Sequence, residues 1–376
     1  MDHPTSTRSP FLCTAAVYDN TVITIGTSSS YGFYGIGTDL DNNIYASNSG
    51  AQVYKYSYGS NSTDGILYAP TIAPGFAYYG SAGGSSATQI GTVYGLFVEP
   101  VSNYLYMADT GSYYTGYNSV PNFNYRIQRW GLNGSVSGTT MAGGAGSGLA
   151  PNQIGTVFNI YVDTNGVLYV PDVTYHRVTK WTLSVAVGVV VAGSEYGVKG
   201  SSLALLNGPQ GIWVDNSGNV YVSDTGNHRV VRWARGATTG VLVAGGNGQG
   251  PYPAQLNSPT SIIIDGNRNV FIFDSGNQRI QQWPPGATYG ITIFDGSYNN
   301  AVSIGSLGMA MDTSGNLYVA DYDGKRVQMI SIINHSICLG KKSLFDFALT
   351  SKHIALIRIQ LQRILHRVHL VLYLKP

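Results

Sequence analysis

Gly211-Ile-Trp-Val-Asp215, Asn219-Val-Tyr-Val-Ser-Asp224 and Asn227-His-Arg-Val-Val-Arg-Trp233 lie within a single run of the chain and set a frame that returns along it. The frame reappears around Asp163, Asp172, Arg177 and Trp181, and around Asp265, Asp274, Arg279 and Trp283. A further copy holds Asp312, Asp321 and Arg326, with Ile330 in the place of the Trp. In these four copies the two acids stand nine residues apart and the Arg follows five later. Two earlier copies are degraded. One has Glu99, Asp109, Arg126 and Trp130, interrupted by an insertion from Gly111 to Tyr125; the other has Asp39, Asn48, Gln52 and Tyr56. Six units separated by 47 to 64 residues is a period that belongs to repeat architectures.

Each unit reads as short strands. Ile212 and Val214, then Val220 and Val222, alternate with period two between Gly- and Asn-rich turns, so both runs are half-buried strands. A third run ends at the Trp, and a fourth, such as Gly240 to Gly245, follows a Gly/Thr loop. Four short antiparallel strands per unit is a propeller blade, and the fold expected is an all-β, six-bladed β-propeller over residues 1–336. The sixth copy stops after its third strand, while a spare strand, Thr21 to Gly26, precedes the first copy. Pairing the two would close the ring and remove an open edge.

The composition agrees. Only 11% of the 376 residues are charged and 43% are hydrophobic, which excludes a disordered chain. The net charge of +2 joins two unlike parts: seven of the 21 Lys and Arg lie in residues 337–376 beside a single acid, which leaves the propeller acidic. An acidic ring is a poor binder of phosphate backbones, so nucleic acid is not an expected partner. Most propeller acids occupy repeat positions, the second of each pair being Asp109, Asp172, Asp224, Asp274 or Asp321.

The repeat resembles the NHL family, named for an Asn-His-Leu triplet that stands here as Asn227-His228-Arg229. The resemblance covers residues 15 to 331, with Tyr175-His176-Arg177, Asn277-Gln278-Arg279 and Gly324-Lys325-Arg326 as variants and the first two copies weaker. It implies a propeller and leaves the chemistry open, because such blades serve ligases, lyases, kinase sensors and extracellular scaffolds alike.

With strands lettered a to d from the axis outward, the b-to-c and d-to-a loops share one face, here called upper. The a-to-b and c-to-d loops share the lower face. The Asp/Arg pairs could be ion-binding or catalytic, but their repetition in every blade favours a structural role: each Asp receiving N–H bonds in its turn, each Arg paired with an acid of the same or the neighbouring blade. This covers Asp109 with Arg126, and Asp163, Asp172, Arg177, Asp215, Asp224, Arg229, Asp265, Asp274, Arg279, Asp312, Asp321 and Arg326. The amidating lyases that resemble this fold use zinc held by several His. A zinc centre needs about three protein ligands, and the propeller offers only His176 and His228, both in b-to-c turns. No metal or cofactor is expected. The glycine runs at 143–146 and 245–250 lead into strands rather than helices and read as turns, not phosphate loops.

Tyr113, Tyr114, Tyr117, Phe123 and Tyr125 place five aromatics in the Gly/Ser/Asn-rich insertion, a composition suited to protein or glycan recognition. The equal alternative is a loop folded onto its own blade. Function therefore reads as a non-enzymatic binding module for a protein or glycan through the upper face. The alternatives are an amidating-lyase-like or streptogramin-lyase-like enzyme, or a cytoplasmic adaptor in ubiquitin-pathway or RNA recruitment.

Sequons at Asn61, Asn133 and Asn334 are no more than chance supplies in so Ser/Thr-rich a chain, but all follow strand c and fall on the lower face. Cys13 and Cys338 also fall low, and a disulfide between them would staple the ring, worth at most roughly 5 kcal/mol of chain entropy. These features point to an extracellular or cell-surface setting, although residues 1–10 carry no secretory h-region; a cytoplasmic one is the alternative. In residues 337–376, Ile354, Ile357, Leu361, Ile364, Val368 and Leu372 fit a basic amphipathic helix that could meet a membrane. Translated non-coding sequence is the slightly favoured reading of that tail.

Overall fold

Alternation along strand b explains how the blades stack. In blade 4, Val220 and Val222 point one way and Tyr221 the other, as the pleat requires. The first two join a core with Tyr161, Val178 and Leu206 of the preceding blade, and Tyr221 joins one with Ile262, Val270 and Ile272 of the following blade. Six such clusters lie one at each blade junction. Trp130, Trp181, Trp233 and Trp283, closing the third strand of their repeats, are each no more than 2% exposed within them.

The computed structural model describes residues 18–60, 63–69, 87, 90–99, 103–110, 112–113, 122–132, 135, 137–182, 187–296 and 308–332. The chain divides into two units, Met1–His335 and Ser336–Pro376, and the described residues belong to the first. Six four-stranded antiparallel sheets form the ring. Blade 1 runs Phe33–Thr38, Ile44–Asn48, Gln52–Tyr56, Ile66–Ala69, and blade 2 runs Val93–Glu99, Tyr104–Asp109, Arg126–Gly131, Thr139–Gly143. Blades 3 to 5 repeat the order from Tyr161–Val162, Pro209–Val214 and Pro259–Ile264. Blade 6 is Met309–Met311, Leu317–Asp321 and Arg326–Ile332, completed by Tyr18–Thr27.

The expected closing strand is present and longer than its apolar core. Tyr18 pairs with Ile332 and Thr27 with Arg326, antiparallel throughout. Innermost strands touch around a complete circuit, blade 6 returning to blade 1. They approach closely at one repeat position, occupied by Gly35, Gly95, Asn159, Gly211, Ser261 and Gly308. A Cβ on Gly95 would stand 2.7 Å from the Phe158 carbonyl oxygen, and one on Gly308 2.6 Å from that of Tyr34, so glycine there lets backbone meet backbone. At three of the junctions hydroxyls at the end of strand b then stitch it to the segment entering the next blade: Ser47 Oγ donates to Val93 O, Thr110 Oγ1 to Val157 O and Thr225 Oγ1 to Pro259 O, at 2.8 to 3.1 Å.

Candidate functional site

The middle residue of the triplet is left-handed in every blade: Ala51, Tyr125, His176, His228, Gln278 and Lys325 have φ between 43° and 58°. That bend carries the following Arg back under the second acid. Arg229 Nε donates to Asp224 Oδ2 at 2.7 Å, and the pairs Arg126–Asp109, Arg279–Asp274 and Arg326–Asp321 each close at 2.8 Å. The carboxylate also takes an N–H from the loop arriving from the preceding blade: Gly91 N to Asp109, Gly155 N to Asp172, Asn207 N to Asp224, Asn257 N to Asp274. The guanidinium donates to carbonyls of that same loop, Arg229 to Ser201, Ser202 and Leu205, Arg279 to Pro251, Tyr252 and Gln255. In blades 4 and 5 the pair is thus a clasp on the interblade crossing, a wider reach than the b-to-c turn expected from the sequence.

The first acids are bound within their own hairpins. Asp215 Oδ1 accepts N–H bonds from Ser217 and Asn219, and Oδ2 accepts the Asn219 amide and the Tyr221 hydroxyl. Asp39 and Asp312 show the same set, and Asp163 and Asp265 most of it. The two histidines accept backbone N–H bonds of the following loop, His176 Nδ1 from Gly208 and His228 Nδ1 from Ser258. Burial, then Lys199, lowers the His176 pKa and favours the neutral ring this bond requires. Among the described residues no group of three or more His, Cys, Asp or Glu is placed to hold a metal ion.

Blade 3 departs from the clasp. Tyr175 replaces the Asn whose amide reaches Oδ2 in blades 2, 4 and 5, and Arg177 Nε stands 3.7 Å from Asp172 without a hydrogen-bond partner. Burial pushes the Asp172 carboxyl up to about 6, against the N–H bonds of Gly155 and Tyr175 that oppose it. Because this pKa lies above that of the unfolded chain, about 3.9, the folded state binds the proton more tightly. The contribution of Asp172 is therefore full below about pH 4 and is lost as pH rises through about 6, by roughly 2–3 kcal/mol. Burial also raises Asp109, Asp224 and Asp274, which do receive the Asn amide, so Tyr175→Asn should lower the Asp172 midpoint without abolishing the shift, read by a carboxyl carbon NMR titration; an unmoved midpoint would disprove the role given to the missing amide.

The upper mouth of the axial channel is a crescent of rings. Tyr34, Tyr94 and Phe158 each stand one residue before the close-approach position, and the irregular registers between Phe33 and Ile36 and between Val93 and Leu96 turn Tyr34 and Tyr94 out of their blades. Tyr34 stacks on Tyr322 (4.6 Å, 17°) and meets Tyr94 edge-on (4.9 Å, 81°), and Tyr94 continues to Phe158 (4.9 Å). All four are half-buried and span blades 6, 1, 2 and 3. Burial and the hydrogen bond with Tyr322 hold the Tyr34 hydroxyl far above its ordinary pKa, so it stays protonated. Gln210 and Asn159 continue the arc, the buried Gln210 Oε1 having no hydrogen-bond partner.

Of the insertion aromatics proposed from sequence, Tyr114 and Tyr117 lie outside the described residues. The backbones of Tyr113 and Phe123 sit in a two-stranded ladder pairing Ser112 with Phe123 and Tyr113 with Asn122. Tyr125, in the middle place of its triplet, packs against the blade 2–3 core. Asn61, Asn133, Asn334, Cys13, Cys338 and residues 337–376 also lie outside the described residues, as do the bounds of the expected amphipathic helix. No helix among the described residues is long and apolar enough to cross a membrane.

Comparison with known proteins adds the following. A family model for the NHL repeat matches residues 206–233, the copy that carries Asn227-His228-Arg229. No curated protein matches the sequence. Among solved structures, a gluconolactonase from Xanthomonas campestris is similar with a TM-score of 0.58 at 11% identity, over 88% of this chain and 96% of that one. A protein of unknown function from Bacteroides thetaiotaomicron gives 0.58 at 14%, over 87% and 75%. An auxiliary nutrient binding protein from the same organism gives 0.56 at 14%, over 82% and 76%.

Proposed function

Because the chain is a six-bladed β-propeller built from NHL repeats, we propose that it is a non-enzymatic recognition module, and that it binds a protein or glycan through the upper face. The observation that carries this reading is the crescent Tyr322–Tyr34–Tyr94–Phe158. A protonated, ring-lined mouth with amides at its end suits a neutral ligand that offers an apolar face and hydroxyls together. A pyranose does so, its C–H face lying on rings and a hydroxyl meeting the unpartnered Gln210 Oε1. A tyrosine or proline side chain of a protein partner meets the first requirement but not the second, so the crescent favours a glycan.

An enzyme related to the lactonase and lyases of this fold is the second reading. The shared fold supports it, but the crescent hydroxyl of Tyr34 is held protonated, and the one carboxylate that acts on it, Asp323, raises its pKa further rather than making it a base.

The test is a glycan-array screen of the full chain beside a peptide-array screen, followed by titration of any hit. Tyr34→Ala with Tyr94→Ala should weaken binding by about tenfold or more while the melting transition stays cooperative. Binding that survives both substitutions would remove the crescent from the site. A hit confined to peptides would move the proposal to a protein partner.

A further inference from the structure

Below the close-approach ring the channel has a second character. The third and second residues before each first acid line a chamber of about 100 Å³ open toward the lower face, with Asn159 between it and the upper mouth. Its wall is made by Ile36, Leu96, Ile160, Ile212, Ile262 and Met309, and by Phe97, Tyr161 and Trp213, whose rings run in contact at 5.2 and 5.0 Å. Above, the Asn159 amide donates to Ser261 Oγ at 3.5 Å across the axis and roofs it.

The void has a definite cause in the sequence. At the position two before the first acid, blades 2 to 5 carry Phe97, Tyr161, Trp213 and Ile263, whereas blades 1 and 6 carry Gly37 and Ala310. Two neighbouring blades thus withhold side chains from a ring that four others fill. The gap lies on a tied seam: Thr38 Oγ1 donates to Met311 O at 2.9 Å, and Asn42 Oδ1 accepts from Thr313 N and Oγ1 at 3.0 and 2.8 Å. Closure by collapse of blade 1 onto blade 6 is therefore resisted.

The rim offers no positive charge to a ligand. Asp39, the one carboxylate lining the chamber, has both oxygens engaged by Asp41 N, Asn43 N, Asn43 Nδ2 and the Tyr45 hydroxyl. Beside it Leu40 stands 51% exposed at the mouth, an apolar side chain that solvent alone does not favour there. An enclosed apolar cavity of about 150 Å³ takes up benzene or xenon, and this chamber, open at its lower end, is of comparable size.

We propose that this chamber is a ligand site for a small uncharged molecule with a compact apolar end of about benzene's size, entering from the lower face. Such a ligand covers the aromatic row and leaves any single polar group at the Thr38 and Leu40 rim. Anionic analogues are rejected, because the one charged group lining the chamber is the Asp39 carboxylate and nothing in the wall could neutralise a second negative charge.

Methyl-detected NMR of the full chain titrated with benzene tests this, with benzoate as the charged counterpart. Saturable shifts are expected at Ile36, Leu96, Ile160, Ile212 and Ile262 with benzene and none with benzoate. Ala310→Leu, which fills the gap, should weaken benzene binding by roughly tenfold or more, while Trp213→Phe, which widens it, should admit naphthalene that the wild type excludes. Misfolding cannot produce opposite changes in the two variants. Equal response to benzene and benzoate, shifts scattered over the blade junctions, or unchanged binding in Ala310→Leu would overturn the proposal.

Discussion

Deletion of residues 18–27 should abolish the monomeric ring. The strand Tyr18–Thr27 covers the whole exposed edge of Arg326–Ile332. Tyr18 at its start is 5% exposed, meets Phe271 edge-on at 6.3 Å and donates its hydroxyl to Gly315 O at 3.2 Å. Burying one tyrosine removes about 150–250 Å² from water, worth about 4 kcal/mol or more, and the ladder adds its own bonds. Set against a total stability of about 5–15 kcal/mol, that loss leaves little. It also bares an unpaired edge on strand c of blade 6, which other copies can adopt as a template. Size-exclusion chromatography of the deleted chain should show aggregates and calorimetry no cooperative transition. A peptide of residues 18–27 supplied in trans should restore part of the transition. A monomer that melts like the intact protein would refute the closure described.

Asp224→Ala is expected to cost about 3–5 kcal/mol. The carboxylate is fully buried and takes Arg229 Nε, the Asn227 amide and the Asn207 N–H at 2.7 to 2.8 Å. Its removal leaves the guanidinium of Arg229, itself 7% exposed, without its counter-charge, and strands the donor of the crossing loop. The double variant Asp224→Ala with Arg229→Leu should lose less than the single one, since it removes the orphaned cation as well. Asp215→Ala offers the contrast. All its partners lie within one hairpin and water can replace them, so about 1 kcal/mol is expected. Urea denaturation midpoints decide: equal losses at 215 and 224 would mean that the clasp contributes no more than a turn.

The ring could be read from the chain because its units are local. Two acids nine apart and an Arg five later lie in one hairpin pair, and the apolar alternation between them states which face is buried. Even the closing strand was legible, since a blade short of one strand and a strand short of a blade imply each other. The clasp was legible only in part: that Asp224 meets Arg229 follows from their spacing, but that both hold residues 201–207 requires the ring to bring the crossing loop back. The crescent was harder. Tyr34, Tyr94 and Phe158 are about 60 residues apart, and their neighbours Gly35, Gly95 and Asn159 drew attention instead to an axis without His or carboxylate. A signal existed, because the three rings share one repeat position, but Tyr322 comes from a turn of another blade and carries no such mark. The aromatics of the insertion are legible because they cluster in one short run, whereas the crescent is assembled from single residues. The chamber likewise shows only when one column is read across all six copies and its two small members prove to be adjacent.

The pairing of Tyr18–Thr27 with Arg326–Ile332 also sets an order in time. The strand that seals the ring is the first of the described residues to leave the ribosome, and its partner is the last. At about 5–20 residues per second, it waits on the order of 15–60 s before a mate exists. During that interval five blades can assemble as an open arc while a β-branched, alternating segment stays unpaired. Whatever guards residues 18–27 through synthesis, a chaperone or transient pairing with a neighbouring edge, therefore governs how much of the newly made chain reaches the closed state.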